Sequence, residues 1–359
     1  MLSLAKVCAE MGRFSFAVLC AALTLPTLSA AAPKDVLHMP SLVSNQSIHA
    51  VLLDVKRAGN RLVAVGERGI VLLSDDDGKS WRQAAVPVSA TLTAVTFANP
   101  RQGWAVGHGA VVLHSDDGGE NWRLQLDGNR AAALELAAAE TEKDDARIAT
   151  AKRLKTDGAD KPLLAVNFTD DRHGLVTGAY GLAMYTEDGG ATWSSWIGRL
   201  PNPRALHIYT VAQMGTQIYL AGEQGLFLRS LDGGKHFDAL HTPYEGSYFS
   251  LTVLPDGVVM VAGLRGKVLR STDRGESFQT IENPLPISIN EIHQNGTNLL
   301  LVNQAGGLLQ VTHDSQQLTP ITLPPGPPLN AVTQAADGTF VGVGFAGPMR
   351  LTSSINAAE

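Results

Sequence analysis

A pattern of the form Ser/Thr-x-Asp-x-Gly-x-x-Trp/Phe recurs five times in this chain and constrains its fold more than any other feature. Its residue types are those of a tight turn between two strands. Ser/Thr and Asp side chains accept hydrogen bonds from turn amides, Gly adopts a positive φ, and the aromatic ring packs beneath the turn. We therefore predict a structural role for Ser74, Asp76, Gly78, Trp81, Ser115, Asp117, Gly119, Trp122, Thr186, Asp188, Gly190, Trp193, Ser230, Asp232, Gly234, Phe237, Ser271, Asp273, Gly275 and Phe278.

The spacing of the five copies indicates a repeat. Their Ser/Thr positions are 41, 71, 44 and 41 residues apart, and the longest interval equals one repeat plus an insertion. A further step of the same length reaches a decayed copy at Thr312, and another reaches Ser353. A fixed period of this size is typical of stacked or radial repeat architectures.

Each repeat has the composition of four short strands separated by turns. The second repeat shows this most clearly, with apolar runs at Thr93–Phe97, Gly103–Gly107, Val111–His114 and Arg123–Leu126. The same frame begins again near Ala50, Leu164, Ile208, Phe249, Ile289 and Ala331. The recurring turn is the Asp-box, and the repeat count predicts an all-β, seven-bladed β-propeller over residues 33–359.

A glycine ends the second strand in six of the seven repeats: Gly66, Gly107, Gly178, Gly222, Gly263 and Gly344. Asn303 holds this place in the sixth repeat. Because Gly and Asn tolerate the left-handed region best, we predict a left-handed backbone at this position.

The seventh repeat stops after its third strand, at Pro348–Thr352. Residues Val36–Val43 precede the first repeat and belong to no other unit. We predict that they supply the outer strand of blade seven, which would close the ring and remove an unpaired sheet edge.

The insertion spans residues 127–161, after blade two. It is rich in Ala, Glu, Lys and Leu, with no Gly or Pro between Arg130 and Thr156, which predicts helix. Two interpretations stay open, a solvated helix or helical hairpin and a docking arm for a partner.

The first residues have the features of a signal peptide, which we assign to residues 1–32. Positive charges precede an apolar run from Phe14 to Leu25 and a small-residue stretch that ends at Ala32, and either Met1 or Met11 is the start. The alternative, a membrane anchor, needs a longer apolar run. Both cysteines, Cys8 and Cys20, lie inside this segment, so we expect a mature periplasmic chain without disulfides, and a lipoprotein at Cys20 is disfavoured by Leu19.

Composition and motifs argue against several functions. A net charge of −6 gives no basic excess for binding nucleic acid. The ten histidines show no metal-ligand spacing, and the Asp-box aspartates are expected to bind their own turn amides rather than calcium. We therefore expect no cofactor, no metal site and a monomeric chain.

The remaining candidate is surface recognition on the side opposite the Asp-boxes. Turns between second and third strands share that side with the connectors between blades, and Tyr and Arg are favoured in interfaces. The candidate partner-binding residues are Arg68, His108, Tyr180, Glu223, Arg265, Arg204, Tyr244 and Tyr248. The alternative is that these are ordinary solvated turns.

Because Asp-boxes also occur in sialidases, a glycoside hydrolase is the second hypothesis. Such an enzyme needs an arginine triad, a Tyr–Glu pair and an acidic residue around the central mouth. No Arg-Ile-Pro-like strand stands between Pro33 and Val65, and Tyr244 and Glu245 are adjacent on one connector. We expect no catalytic residues.

The frame Gly-x-x-Gly, at Gly66, Gly178, Gly222 and Gly263, precedes each following Asp-box by a constant distance. With the strand Trp104–Gly107, this frame closely resembles the photosystem II stability/assembly factor family, across essentially the whole mature chain. The resemblance implies an exported, non-catalytic propeller that serves a membrane-protein complex. Similar proteins of non-photosynthetic bacteria often accompany RND-type exporters, and the alanine-rich insertion departs from the photosynthetic pattern.

Overall fold

The computed structural model describes residues 35–295, 298–312, 314–324 and 326–351. The predicted signal peptide, both cysteines and Ser353 lie outside these residues. These residues form one compact unit that is mostly β.

The strands form seven antiparallel sheets. Sheet one contains β1 (Leu52–Ala58), β2 (Arg61–Gly66), β3 (Val71–Ser74) and β4 (Arg82–Gln83); sheet two contains β5 (Leu92–Phe97), β6 (Gly103–Gly107), β7 (Val112–Ser115) and β8 (Arg123–Leu126). Sheet three contains β9 (Leu163–Phe168), β10 (Gly174–Gly178), β11 (Ala183–Thr186) and β12 (Ser194–Ser195); sheet four contains β13 (Ile208–Met214), β14 (Gln217–Gly222), β15 (Phe227–Ser230) and β16 (Asp238–Ala239). Sheet five contains β17 (Tyr248–Val253), β18 (Val259–Gly263), β19 (Val268–Ser271) and β20 (Gln279–Ile281); sheet six contains β21 (Ile289–Asn295), β22 (Asn298–Asn303), β23 (Leu308–Thr312) and β24 (Thr319–Ile321). Sheet seven contains β25 (Leu329–Gln334), β26 (Phe340–Gly344) and β27 (Gly347–Leu351).

The first strands of the sheets form the centre of the unit. Each first strand packs against the first strand of the next sheet, and β25 packs back against β1. Side chains bond across these junctions: Thr93 Oγ1 donates to the Leu163 carbonyl at 2.7 Å, and Asn330 Nδ2 donates to the Leu52 carbonyl at 2.8 Å. The sheets therefore form a closed ring, as in propellers.

Apolar side chains fill the spaces between neighbouring sheets. Trp104 of sheet two is fully buried and stacks on Phe168 of sheet three, with ring centroids 3.6 Å apart. Trp193, from the Asp-box of sheet three, meets the same Phe168 ring edge-on at 6.3 Å. The aromatic residues of the Asp-boxes thus belong to the core between the sheets.

Side-chain hydrogen bonds hold each Asp-box turn together. In the copy after β15, Ser230 Oγ donates to Asp232 at 2.9 Å and accepts from the Gly234 amide at 2.9 Å. The His236 amide donates to the same carboxylate at 3.0 Å, and Gly234 has a φ of 84°. The backbone amide of His236 is also the main reason that the pKa of Asp232 lies well below its usual value. We call the side of the ring that carries these turns the Asp-box face.

The glycine that ends each second strand is extended, and our prediction of a left-handed backbone there is wrong. Its φ lies between −169° and −176° in sheets one to five. The reason for glycine is steric. A Cβ on Gly222 would lie 2.0 Å from the His207 carbonyl oxygen, and the other five glycines have equivalent contacts of 2.1–2.3 Å with the residue before their own first strand.

A bulge causes this close approach. Every first strand has a register shift after its first residue, as between Leu52 and Asp54 in β1, and the chain before it turns toward the end of the second strand. Asn303 of sheet six stands at the same place, where its side-chain oxygen accepts from the amides of Ala305 and Gly307.

The insertion is a helical hairpin of α1 (Gly128–Glu142) and α2 (Asp145–Asp157). Asp127 and Asp144 cap the helices by accepting from the amides of Arg130 and Arg147. The buried Glu135 carboxylate accepts two bonds of 3.1 Å from the Arg147 guanidinium.

Glu135 also accepts from the hydroxyl of Ser195 in β12, and Ala131 packs in the core between sheets two and three. The hairpin is therefore fixed against sheet three.

The N-terminal segment does not complete sheet seven, which corrects our prediction for Val36–Val43. These residues form no strand, and within the described residues sheet seven has three strands. Their backbone instead bonds to the connector after β4: the Ser41 amide donates to the Val86 carbonyl, and the Ser89 amide donates to the Val36 carbonyl. The segment prefers that connector because its own Leu37 reaches the core between sheets one and two.

Replacement of Gly222 by alanine tests the steric role of these glycines. The added Cβ meets a backbone oxygen that cannot move without disturbing the bulge, so we expect Gly222→Ala to lower the free energy of unfolding by about 2–3 kcal/mol. Chemical denaturation measures this. Gly326→Ala is the matched control, since a Cβ there would come no closer than 3.7 Å to any atom outside the two adjacent residues, which is an ordinary contact with Met349. Equal losses in both variants would contradict the steric explanation.

Candidate functional site

The turns between second and third strands lie opposite the Asp-boxes. They share this side with the connectors that lead from one sheet to the next, and we call it the connector face. The central residues of four of these turns adopt the left-handed conformation although they are not glycine: Arg68, Tyr180, Gln224 and Arg265, with φ of 51–58°. A left-handed backbone costs such residues roughly 1–2 kcal/mol.

These side chains lie at the surface of the face. Arg68, His108, Tyr180 and Arg265 are exposed, and the ring of Tyr180 is 55% exposed. Their exposure means that they contribute little to the core, although their backbone conformation is costly.

An aromatic row crosses sheets three to five on this face. The rings of Tyr180 and His207 are 5.0 Å apart, those of His207 and Tyr209 are 6.0 Å apart, and those of Tyr209 and Phe249 are 5.5 Å apart. The ammonium of Lys161 lies 5.5 Å from the centre of the Tyr180 ring. Rings that are partly exposed and in mutual contact give the face a continuous apolar strip.

Two of the predicted residues, Glu223 and Arg204, lie beside this strip. Glu223 accepts a hydrogen bond of 3.2 Å from the His207 amide, and this bond is the main reason that its pKa is lowered. Arg204 is exposed and donates to Gln224 at 2.9 Å. Glu223 therefore orients the row, while Arg204 remains at its edge.

Of the two predicted tyrosines of sheet five, only one lies at the surface. Tyr244 is partly exposed, and its hydroxyl donates to the Leu264 carbonyl at 2.9 Å. Tyr248 is fully buried, its hydroxyl is 2.7 Å from that of Thr242, and burial raises its pKa to about 12. Tyr248 is therefore a core residue, which corrects our assignment of it to the partner-binding surface.

A cavity of about 410 Å³ opens on the same face between sheets five and six. Arg265 and Lys267 line one side of it, and Asn283, Pro284 and Pro286 line another. The exposed Leu264 and Leu285 stand nearby. The connector face therefore combines exposed apolar side chains with cations, as interface surfaces do.

At the centre of the ring, one lysine joins two carboxylates from different sheets. Lys56 Nζ of β1 lies 2.8 Å from Asp54 and 2.6 Å from Glu291 of β21. Asp54 also accepts from the Val95 amide of sheet two, and Glu291 accepts from the Val332 amide of sheet seven. Burial alone would lower the pKa of Lys56, but the two carboxylates raise it above its usual value.

His293 lies on β21, two residues after Glu291. Its burial, together with the positive charge of Lys56, lowers its pKa to about 4. At neutral pH the imidazole is therefore uncharged.

Among the described residues, no three His, Cys, Asp or Glu side chains are placed to hold a metal ion. Within the same residues, no helix has both the length and the apolarity needed to cross a membrane.

Comparison with known proteins identifies the family. The profile of the family "Photosynthesis system II assembly factor YCF48" matches residues 42–154 and 151–281. The chain belongs to this family. The curated "Photosystem II assembly lipoprotein Ycf48" of Synechococcus sp. (strain CC9902) is 32% identical over 93 residues, which are 25% of this chain and 28% of that protein.

Solved structures share the fold of this YCF48-family chain. "YCF48 from Cyanidioschyzon merolae" has a TM-score of 0.63 at 16% identity, and "YCF48 bound to D1 peptide" has a TM-score of 0.60 at 15% identity. Each comparison covers 88% of this chain and 99% of the other. A virginiamycin B lyase from Staphylococcus aureus is also similar, with a TM-score of 0.60 at 12% identity, 88% of this chain and 98% of the lyase.

Sequence reasoning missed much of the aromatic row in this YCF48-family member. Tyr209 and Phe249 stand directly after the first residue of β13 and β17, at the bulged position of the first strand. The repeat frame marks this position, because each first strand has its register shift there.

Lys56→Met tests the central ion cluster. The substitution leaves two carboxylates close together without their cation, so we expect a loss of about 3–5 kcal/mol in the free energy of unfolding, measured by chemical denaturation. Arg57→Met, at the exposed neighbouring position, is the control. A loss for Lys56→Met no larger than that of the control would show that the cluster contributes nothing to stability.

His293 predicts a pH dependence. Its pKa is depressed from 6.5 to about 4 in the folded chain, so the unfolded chain takes up the proton first as the pH falls. The contribution of His293 to stability is thus present above pH 6.5 and is lost as the pH falls toward 4. We expect His293→Gln to lose less stability than the unaltered protein across this window in denaturation experiments, and the exposed His241→Gln to behave like the unaltered protein.

Proposed function

We propose that this chain is an exported, non-catalytic, seven-bladed propeller that acts as an assembly or stability factor for a membrane-protein complex. It binds its partner through the connector face. Membership of the YCF48 family supports the assembly role, and the relative in Synechococcus is named a lipoprotein. A solved relative is described as bound to the D1 peptide, which supports a polypeptide partner.

One observation carries the choice of face. Arg68, Tyr180, Gln224 and Arg265 hold a left-handed backbone in which glycine would be better, and their side chains point away from the core. A large exposed side chain at such a position is unfavourable for the fold, and strain of this kind clusters at binding sites. The Asp-box face has its own left-handed residues, Asp77 and Arg274, but the backbone carbonyl of each accepts a hydrogen bond from an arginine of a neighbouring sheet.

The chemistry of the face defines the partner. The aromatic strip of sheets three to five suits apolar side chains, and the flanking cations Arg204, Arg265 and Lys267 suit acidic groups. A periplasmic segment of a membrane protein has access to such a surface, and a component of an RND-type exporter is the partner class that the family resemblance favours.

The central carboxylates argue against a glycoside hydrolase. Such an enzyme needs one carboxyl group as acid and another as nucleophile or base. Among the described residues, Asp54 and Glu291 meet at the centre, and both are engaged by Lys56 and by backbone amides. Neither is free to attack a sugar.

Charge reversal on the connector face tests the proposal. Arg68→Glu combined with Arg265→Glu places acidic groups where we expect an acidic partner, so we expect at least about a tenfold loss in partner recovery. The measurement is recovery of partner protein from detergent-solubilised membranes with the tagged chain, quantified against a bait-free sample. Both side chains are exposed, so the unfolding temperature is expected to stay the same.

Lys79→Glu combined with Lys235→Glu is the matched control, because these exposed residues carry the same charge on the Asp-box face. Equal recovery with the connector-face variant and the unaltered protein would refute binding through this face. Turnover of fluorogenic glycosides that a single carboxylate substitution abolishes would refute the non-catalytic role.

A further inference from the structure

The helical hairpin has a charged surface that the proposed function does not use. Three neighbouring cations of α2, Lys152, Arg153 and Lys155, are exposed. Within the described residues, the structure shows no hydrogen bond or ion pair of their charged groups. In contrast, Arg147 of the same helix is engaged by Glu135 and Glu142.

The position of these cations is fixed. The contacts of Glu135 with Arg147 and Ser195 hold the hairpin on sheet three, and Ala151, in the turn before Lys152, is buried. At a rise of about 1.5 Å per residue, the backbone positions of the three cations lie within about 10 Å of Gly158 along the helix axis, and the hairpin rejoins the ring at Gly158. The next residue, Ala159, packs beside Gly109 in the connector-face turn of sheet two.

Acidic residues occur at both ends of the hairpin, but those at its base, Asp157 and Asp160, are paired with Lys161. The tip of the hairpin carries Glu140, Glu142, Asp144 and Asp145 with a single lysine, Lys143. The hairpin leaves the connector face at Gly128, and Glu135 already reaches β12, which follows the Asp-box of sheet three. The base of the hairpin therefore lies at the connector face and carries the cations of α2, and the carboxylates of the tip lie at the far end of the helices.

We propose that the base of the hairpin, formed by Lys152, Arg153 and Lys155, is a contact site for the surface of an anionic phospholipid bilayer. Binding there turns the connector face toward the membrane and the acidic tip away from it. This inference does not depend on the identity of the protein partner, since it concerns the orientation of the ring.

Several features favour lipid over an acidic protein segment. The cations lie on the convex surface of a helix rather than in a groove, and two of the three are lysines, which act as hydrated point charges rather than as bidentate forks. Tyr180, with Lys161 over its ring, is exposed on the same face, and tyrosine is enriched at membrane–water interfaces. The protein as a whole carries a charge of −6, so an anionic surface attracts it only through a local basic patch.

Vesicle sedimentation of the full chain tests the proposal. One set of vesicles is an equimolar mixture of phosphatidylcholine and phosphatidylglycerol, and the reference set is phosphatidylcholine alone, which reports any apolar contribution. We expect stronger binding to the anionic vesicles, weakened by added salt. Each Lys or Arg near such a surface contributes roughly fivefold to binding, so Lys152→Gln/Arg153→Gln/Lys155→Gln is expected to lose at least about tenfold.

The matched control is Lys79→Gln/Lys235→Gln/Arg274→Gln, which removes the same charge from exposed positions of the Asp-box face. It is expected to bind as the unaltered protein does. Circular dichroism melts establish that both variants fold. If the triple variant of α2 does not fold, vesicle binding is measured with the single variants Lys152→Gln and Lys155→Gln.

Three outcomes would overturn the proposal: equal binding to neutral and anionic vesicles, equal losses in the two triple variants, or binding by an acidic peptide but not by anionic vesicles. Preference for anionic vesicles that only the α2 substitutions reduce would support it.

Discussion

The structure depends on the close approach of two backbone segments within each sheet. The bulge in every first strand brings the carbonyl of the preceding residue to the end of the second strand, where a side chain has no room. This contact fixes where the chain enters each sheet and where the following turn begins. The turn then places a left-handed residue such as Arg265 at the connector face. Steric exclusion at one glycine thus determines the position of the residues that the partner is proposed to meet.

The two faces of the ring differ in how their polar groups are used. On the Asp-box face, carboxylates and hydroxyls are engaged in the turns, and ion pairs such as Arg82 with Glu120 join neighbouring sheets. On the connector face, aromatic rings and cations remain partly exposed. The first face stabilises the ring, and the second has groups left over for recognition. The central cluster of Lys56, Asp54 and Glu291 also stabilises the ring, because it joins sheet one to sheet six across the inner strand of sheet seven.

The repeat positions and the helical insertion could be predicted from sequence because both are local patterns. The Asp-box spacing and the alanine-rich composition each depend on residues near in the chain. The conformation of Gly222 could not be predicted, because its cause is a carbonyl of another strand that only the folded sheet brings near. Our predictions for Tyr248 and for Val36–Val43 were wrong for the same reason, since the burial of the first and the path of the second depend on packing against distant residues. The ion pair of Lys56 and Glu291 at the ring centre could not be predicted either, because the two residues are 235 positions apart in the sequence.

The hairpin after sheet two also bears on how such a ring can change. Its two ends lie side by side, since a Cβ placed on Gly128 would be 2.8 Å from the Cα of Ala159. An insertion whose two ends are adjacent imposes no strain on the sheets on either side of it. A segment of different length or charge could therefore replace the hairpin at this point while the neighbouring sheets keep their spacing. Members of one fold family could thereby acquire different surroundings without altering the repeat that holds them together.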